Sequence, residues 1–373
     1  MLVAQQCKWH GSHQSTVRAM VNLNTCDCLQ DGFCKRYNRE MGGRFREICR
    51  GINVDVGTAT VFREQWLREV IPTQEGGSPT PLLLKTDQMP GDTVAMTAAV
   101  YSLHRAYPGR YATAVQSNWP EVFEHNPDVV PIETIPDATP LQMHYPAIHQ
   151  CNQRGIHFMQ AWTEFLGAAL SINIPLATNR PRLYFPDTNP RPENFWVVCS
   201  GGKRDFTNKL WGHHNYQEVV DRLHGKVRFI QIGSDDDDHR RLRNVEDAVG
   251  KTTLRGLFNL IRRSRGVLCG VSLPMHVAAA FERPAIVVAG GREPVQWNAY
   301  PRQQYLHTVG ALPCSSVQGE VGQACWRSRV LPLGDGAWYD NDTCQIPVEG
   351  LPQCMRMISP TEVSIMVLKY DSI

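Results

Sequence analysis

The chain has 373 residues, of which 42% are hydrophobic and 20% charged, and its formal net charge is +2. This balance is typical of globular proteins and excludes a largely disordered chain, and the small net charge gives no reason to expect a polyanion as the main partner. The sequence contains no apolar run of about 18 residues, and its start lacks the basic and apolar regions of a signal peptide. We therefore predict a cytoplasmic protein with no membrane span.

Composition divides the chain into four parts. Residues 1–75 form a cysteine-rich N-terminal extension, and residues 76–188 begin at the linker GGSPTP. Residues 189–312 follow the proline-rich segment FPDTNPRPEN, and residues 313–373 form a cysteine-rich tail with a final helix. Because strands and helices alternate in both central parts, we predict two doubly wound, Rossmann-like domains that face a cleft, the first for an acceptor and the second for a donor.

The predicted elements of the first domain begin with a strand at LLLK. Two further strands are predicted at RYATAVQS and DVVPIE, and helices at residues 92–105, around Trp119 to His125, and from Phe158 to Leu170. The second domain repeats the pattern. Its strands are FWVVCS, VRFIQIGS, GVLCGV and AIVVAG, with helices at residues 216–223, 254–263 and 275–281.

Neither domain contains G-x-G-x-x-G or G-x-x-x-x-G-K-[ST]. A dinucleotide-dependent dehydrogenase or a P-loop NTPase would therefore lack its phosphate-binding loop. Twin nucleotide-type domains without these loops indicate a sugar-nucleotide enzyme of the GT-B architecture, with the donor bound mainly by the second domain.

Asp92 stands at the Pro90-Gly91 break between the first strand and its helix. One interpretation is an N-cap, whose carboxylate accepts from the first amides of the helix and suits the positive end of the helix dipole. The other is a catalytic carboxylate at the carboxyl end of a strand, where open α/β sheets bind their ligands.

A glycine-rich, basic loop opens the second domain after the strand FWVVCS. Ser200, Gly201 and Gly202 are followed by Lys203 and Lys209. Glycine backbone amides and lysines can offset the charge of a departing nucleoside diphosphate, as sugar transfer without a catalytic metal requires. The alternative is an exposed basic loop with no ligand.

Two further strand ends of the second domain carry candidate ligand groups. Asp235, in GSDDDDHRR, is placed to accept hydrogen bonds from ribose hydroxyls, although these aspartates can equally act as helix caps. A strand ends at Ser272, and a helix starts at Pro274-Met275, so its first amides could meet a phosphate. His276 either donates to the same phosphate or packs in the core.

The chain resembles the ADP-heptose:lipopolysaccharide heptosyltransferase family, glycosyltransferase family 9, over residues 82–310. The resemblance is carried by MPGDTVAMTAAVYSLHRAYPG, NKLWGHHNYQEVVDRL and PMHVAAAFERPAIVVAGG. It implies a GT-B fold and an inverting enzyme that moves a heptose or related sugar from a nucleotide-sugar donor, such as ADP-heptose, to a hydroxyl of a saccharide or a protein.

The same resemblance implies roles for individual residues. Asp92 would be the general base, Lys209 the lysine of the donor site, and Asp235 the acid that binds ribose, while Thr252 and Thr253 would lie in the loop that contacts the nucleobase. The chain departs from the family at V-S-L-P-M-H, which lacks the acid and the glycine of V-D-[ST]-G-P-M-H.

Cysteines crowd both ends of the chain. The spacing of Cys314, Cys325, Cys344 and Cys354 is by itself a weak signal because no C-x-x-C anchors it. The tail resembles that of bacterial autotransporter O-heptosyltransferases, in which four cysteines hold an iron. This implies a closed, structural four-thiolate site for iron or zinc.

The N-terminal cysteines suit a zinc knuckle. The candidate ligands are Cys7, His10, Cys26, Cys28, Cys34 and Cys49, of which a subset would bind the metal. Free thiols are the alternative. Because such modules often recognise a partner or nucleic acid, a glycosyltransferase acting on nucleic-acid bases is a second hypothesis. A non-catalytic, metal-stabilised binding protein and a sugar-nucleotide 2-epimerase on the same fold are others, and homo-oligomer formation stays open.

Overall fold

The structure, a computed structural model, describes residues 78–144, 154–188, 190–202, 209–236, 239–313, 344 and 347–371. The predicted N-terminal extension lies outside these residues, as do its six candidate metal ligands, Lys203, Cys314 and Cys325. Among the helices that the structure describes, none has the length and apolar character needed to cross a membrane.

The first sheet has three parallel strands in the order β2-β1-β3. They are β1 (Thr80–Thr86), β2 (Tyr111–Ser117) and β3 (Pro140–Gln142). Helix α1 (Pro90–Ala106) connects β1 to β2, and α2 (Phe158–Ala169) packs against α1. Every residue of α1 from Thr93 to Val100 is buried. A helix buried on all sides must lie between two packed layers.

The second sheet has six parallel strands in the order β6-β5-β4-β7-β8-β9. This is the Rossmann order. Successive strands are added outward from β4 on one side and from β7 on the other, and this reversal of the strand order leaves a crevice at the carboxyl ends of β4 and β7. The strands are β4 (Trp196–Cys199), β5 (Phe229–Gln231), β6 (Glu246–Asp247), β7 (Gly266–Gly270), β8 (Ala285–Gly290) and β9 (Gln303–His307).

Helices cover both faces of the second sheet. They are α3 (His213–Leu223), α4 (Leu254–Arg263), α5 (Leu273–Ala280) and α6 (Val295–Asn298). After a hairpin of β10 (Pro347–Val348) and β11 (Leu351–Pro352), α7 (Gln353–Arg356) leads into α8 (Pro360–Asp371). Helix α8 packs on α3 and shares an apolar cluster with it. Trp211 Nε1 fixes this arrangement by donating to the carbonyl of Ile358 at 2.9 Å.

The two sheets are joined by one apolar cluster. It includes Leu84 and Met96 of the first unit and Val267 and Met275 of the second. Helices α1 and α5 supply the contact between the units. The prediction of an α/β fold with parallel sheets is confirmed.

One predicted strand is wrong. DVVPIE contains no strand in the structure, and a short 3₁₀ helix, Ile132–Thr134, occupies its end. The Val130 amide donates to the carbonyl of Thr113 at 2.8 Å, but Pro131 has no amide hydrogen with which to continue the ladder. The third strand lies further on, at Pro140–Gln142. The helix predicted around Trp119 is a 3₁₀ helix, Pro120–Phe123.

We expect Gly290→Ala to destabilise the fold more than Gly109→Ala. Both glycines have positive φ, 63° and 71°, so alanine at either position costs about 1–2 kcal/mol of backbone strain. A Cβ at Gly290 would also overlap the side chain of the buried Met355, whereas a Cβ at Gly109 meets nothing within 4 Å. Overpacking adds about 1–3 kcal/mol. Urea unfolding measures both variants, and equal losses would contradict the packing argument.

Candidate functional site

The candidate site lies where strands of both sheets end. Strand β1 leads into α1, β7 leads into α5, and β8 leads into the segment Gly291 to Glu293. The starts of α1 and α5 are in contact: a Cβ placed on Gly91 would lie 3.4 Å from His276 Cδ2 and 3.5 Å from the Leu273 amide nitrogen. The structure therefore brings two separate sequence motifs, MPGD and SLPMH, to one place.

Asp92 lies in the first turn of α1 and is half-buried. The interpretation of Asp92 as the N-cap is wrong, because the cap is Met89 and Pro90 opens the helix. A carboxylate in the first turn nevertheless suits the helix dipole. Its charge acts on two neighbours, since it raises the pKa of both Lys209 and Tyr300. Asp92 is therefore within electrostatic range of the second unit.

Lys209 is paired with a carboxylate that the sequence analysis did not select. Its Nζ lies 2.8 Å from Oε1 of Glu293, and the two side chains are 28% and 4% exposed. Burial lowers the pKa of Lys209, and Glu293 opposes this effect. Burial alone would raise the pKa of Glu293, but Lys209 and Arg292 together hold it below its ordinary value. Glu293 is therefore a carboxylate at neutral pH, and its charge favours the protonated form of Lys209.

Glu293 has two further partners. Its carboxylate accepts hydrogen bonds from Arg292 and from the amide of Asn298 on α6. Arg292 and Asn298 are both buried. Glu293 thus joins Lys209, Arg292 and Asn298 into a compact polar cluster at the end of β8.

His276 contacts a tyrosine. Its Nδ1 lies 2.8 Å from the hydroxyl of Tyr300, and the ring of His157 lies on the other side, with its centroid 4.7 Å from that of Tyr300. Burial lowers the pKa of His276 to about 3 and that of His157 to about 4. Both imidazoles are therefore neutral at pH 7, and His157 joins the segment before α2 to the second unit.

The residues predicted for the nucleoside lie at the ends of β5 and β6. Asp235 is exposed and accepts from Arg241 at 2.7 Å, and a Cβ at Gly250 would overlap its carboxylate. Thr253 caps α4 by accepting from the Gly256 amide at 3.0 Å, while Thr252 is half-buried. The structure thus brings Asp235 next to the segment that leads to both threonines.

The residues predicted for the diphosphate are only partly described. Ser200 is buried and accepts from Gln231 at 3.0 Å, while Gly201 and Gly202 are half-buried. Lys203 lies outside the described residues. On the other side, Ser272 is the N-cap residue of α5 and makes no side-chain cap, and Pro274 and Met275 are buried.

Two of the four C-terminal cysteines are described. Cys344 and Cys354 are half-buried, and Cys354 packs beside Gly291, where a Cβ would lie 3.3 Å from that of the cysteine. Thr308 Oγ1 donates to the carbonyl of Cys354 at 2.9 Å. Within the described part of the chain, no three His, Cys, Asp or Glu side chains lie close enough to hold a metal. The described residues alone therefore do not make a metal site.

Sequence reasoning missed Glu293, Arg292, Asn298, Tyr300 and His157. A signal existed for the first two, because the sequence GGREP places an Arg-Glu pair directly after the apolar strand AIVVAG. Charged residues at the carboxyl end of a buried parallel strand point to a ligand site. No comparable pattern marks Tyr300 or His157, whose proximity depends on how the two units pack.

We expect His157→Asn to reduce the loss of stability at acid pH. The unfolded imidazole binds a proton near pH 6.5 and the folded one only near pH 4, so stability falls as the pH drops from 6.5 towards 4. This difference corresponds to about 3 kcal/mol. Asparagine can still cap α2 by accepting from Met159, as His157 does at 3.1 Å. Urea unfolding between pH 7 and pH 4 measures the slope.

The matched control is His224→Asn at an exposed position, which should decline with pH as the wild type does. A slope for His157→Asn as steep as that of the wild type would contradict the assignment of the acid sensitivity to this buried imidazole.

Comparison with known proteins adds independent information. Residues 168–323 match the family model described as glycosyltransferase family 9 (heptosyltransferase). No curated protein sequence matches the chain. The family model covers less than half of the 373 residues.

Several solved structures share the fold at low sequence identity. E. coli ADP-heptose LPS heptosyltransferase II is 14% identical, with a TM-score of 0.51 over 78% of this chain and 98% of its own. A family 9 glycosyltransferase from Veillonella parvula is 13% identical, with a TM-score of 0.56 over 79% and 97%. TibC of enterotoxigenic E. coli, a dodecameric iron-containing heptosyltransferase in complex with ADP-D-β-D-heptose, is 15% identical, with a TM-score of 0.55 over 79% and 77%. The family match and these neighbours together support a glycosyltransferase enzyme.

Proposed function

We propose that the chain is an inverting glycosyltransferase that moves a heptose or related sugar from a nucleoside diphosphate to a hydroxyl of a saccharide or a protein. One observation carries this proposal: Gly91, the residue before Asp92 on the first unit, packs against the start of α5, and the Asp92 carboxylate acts electrostatically on Lys209 of the second unit. The match of residues 168–323 to a heptosyltransferase family model supports it.

The reaction needs one base and one cationic site. In this proposal Asp92 accepts the proton of the acceptor hydroxyl as its oxygen forms a bond to the anomeric carbon, and the bond from that carbon to the diphosphate breaks. Lys209 and the positive end of the α5 helix dipole, at Ser272, Pro274 and Met275, offset the negative charge that develops on the leaving diphosphate. His276 supports this helix start through Tyr300.

The donor in this proposal is ADP-heptose or a close analogue. Asp235 would bind the ribose, and Thr252 and Thr253 the nucleobase, because these residues adjoin one another at the ends of β5 and β6. The segment from Ser200 to Lys203 would line the diphosphate. The TibC complex shows that a protein of this fold binds ADP-D-β-D-heptose.

We also propose that the cysteine-rich ends hold structural metal. In the tail, Cys314, Cys325, Cys344 and Cys354 would form a closed four-thiolate site for iron or zinc, and TibC is an iron-containing relative in fold. The N-terminal candidates would form a second site. We further propose a cytoplasmic protein with the four-part organisation given above. Because TibC is dodecameric, a homo-oligomer is the assembly to test first.

We expect Asp92→Asn to lower turnover by roughly 10²- to 10⁴-fold, the usual contribution of a positioned general base. Donor affinity should change little, because the amide has the same shape and the diphosphate contacts remain. A panel of nucleotide sugars, followed by mass spectrometry of acceptor and product, measures transfer. The matched control is Asp87→Asn, an exposed aspartate five residues earlier that should retain full activity. Wild-type-like turnover in Asp92→Asn would refute the base.

We expect the purified chain to contain about one equivalent of tightly bound iron or zinc in the tail. Cys344→Ser and Cys354→Ser should each release it, whereas Cys151→Ser, at a position to which we assign no chemistry, should not. Elemental analysis by mass spectrometry measures the metal. Full retention in both tail variants would exclude the four-cysteine site.

A further inference from the structure

The buried carboxylate of Glu293 is paired with Lys209, and the roles proposed for the base and the donor-binding residues do not explain this pair. We propose that Glu293 is a positioning residue that holds the Lys209 ammonium in the site, while Arg292 restores the net positive charge that a diphosphate needs. The inference rests on the proposed function, because it concerns the lysine assigned to the leaving group.

The geometry fixes both ends of the pair. Glu293 follows the end of β8, and a Cβ on Gly270, at the end of the neighbouring β7, would lie 3.6 Å from the carbonyl oxygen of Lys209. Strands β7 and β8 are parallel neighbours, so their carboxyl ends are held side by side. The Asn298 amide binds the same carboxylate from α6. Glu293 thus has three partners, Lys209, Arg292 and Asn298. The side chain of Lys209 is nevertheless 28% exposed.

The charges explain why two cations are present. A lysine paired with one carboxylate is neutral as a unit and would attract an anion poorly. With Arg292, which also binds Glu293, the cluster of Lys209, Arg292 and Glu293 has two positive charges and one negative, a sum of +1. Removing one member of a buried charged group leaves the others without compensation. The arrangement therefore keeps Lys209 oriented and still attractive to a diphosphate.

The charged and titratable groups that face the pair come from several elements. Lys209 is influenced by Glu293 and Arg292 of the segment after β8 and by Asp92 of α1. Glu293 is influenced by Lys209, Arg292 and His276 of α5, and it acts in turn on Tyr305 of β9. Burial lowers the pKa of Lys209 and Arg292 lowers it further, whereas Glu293 and Asp92 raise it. Neutralising Glu293 and neutralising Arg292 must therefore shift the titration of Lys209 in opposite directions.

The direct test measures the titration of Lys209 without any substrate. Trace acetylation with acetic anhydride modifies only neutral amines, so the pH dependence of labelling at Lys209, read by peptide mass spectrometry against the exposed Lys226, reports its protonation. In Glu293→Gln the midpoint should move to lower pH than in the wild type. In Arg292→Gln it should move to higher pH, and in Glu293→Asp, which keeps the charge, it should stay close to the wild type.

The kinetic test asks whether the pairing serves the reaction. If Lys209 acts on charge that develops as the diphosphate leaves, Glu293→Gln should lower kcat by about 10- to 100-fold, the range seen when a metal ligand loses its hydrogen-bonding partner. The KM for donor should rise less than kcat falls. The alkaline limb of the kcat profile should move to lower pH, and Glu293→Asp should restore part of the activity. A merely structural residue would lower activity without moving this limb.

The outcomes separate this inference from the proposed function. An unchanged or higher labelling midpoint in Glu293→Gln would overturn the inference, whatever the enzyme does. Shifts of equal sign in Glu293→Gln and Arg292→Gln would overturn it as well. If the wild type transfers no sugar from any donor of the panel, the proposed function is wrong. The labelling midpoints would still test whether Glu293 controls the protonation of Lys209. Should Glu293→Gln fail to fold, Arg292→Gln tests the same charge cluster: an unchanged or lower labelling midpoint of Lys209 in that variant would overturn the inference.

Discussion

The contact between the starts of α1 and α5 determines the candidate site. Residue 91 is glycine at this contact, and a Cβ there would lie in van der Waals contact with His276 and Leu273, at 3.4 to 3.5 Å. Asp92 is the next residue, and its charge acts on Lys209 of the second unit. In the proposed function Asp92 and Lys209 act on one reactant pair, which requires that the two units stay in contact.

Burial on both sides of that contact makes the site electrostatically sensitive. Charges in a low-dielectric environment act on one another strongly, and unpaired ones are costly. The cluster at the end of β8 responds by pairing Lys209, Arg292 and Glu293 with one another and with Asn298. His276 and His157 stay neutral instead and use Tyr300 as a common neighbour. The same burial that lowers the histidine pKa values also lowers that of Lys209, and Glu293 opposes the effect.

The departure from the family motif at V-S-L-P-M-H fits this arrangement. The chain has Leu273 where family members have glycine, and Leu273 is the residue against which Gly91 packs. The acid that family members place before this helix has no counterpart here. Glu293, after the end of the next strand, is a buried carboxylate beside Lys209.

The sequence by itself determined the α/β class and most elements, because apolar runs and helical spacing are local properties: α4 begins and ends where its pattern predicts, at Leu254 and Arg263. It also placed Asp92 just after the first strand, since residues at strand ends are recognisable from the strands before them, whereas Lys209 came from a basic loop and the family resemblance, and the roles of both stay predictions. It failed at DVVPIE, where one proline without an amide hydrogen outweighed β-forming neighbours, and one of its two interpretations of Asp92 was a cap that Met89 occupies. Only the tertiary structure decided the pairing of Lys209 with Glu293 and of His276 with Tyr300. These partners are 84 and 24 residues apart in sequence, and the order of the parallel strands in the second sheet brings them together.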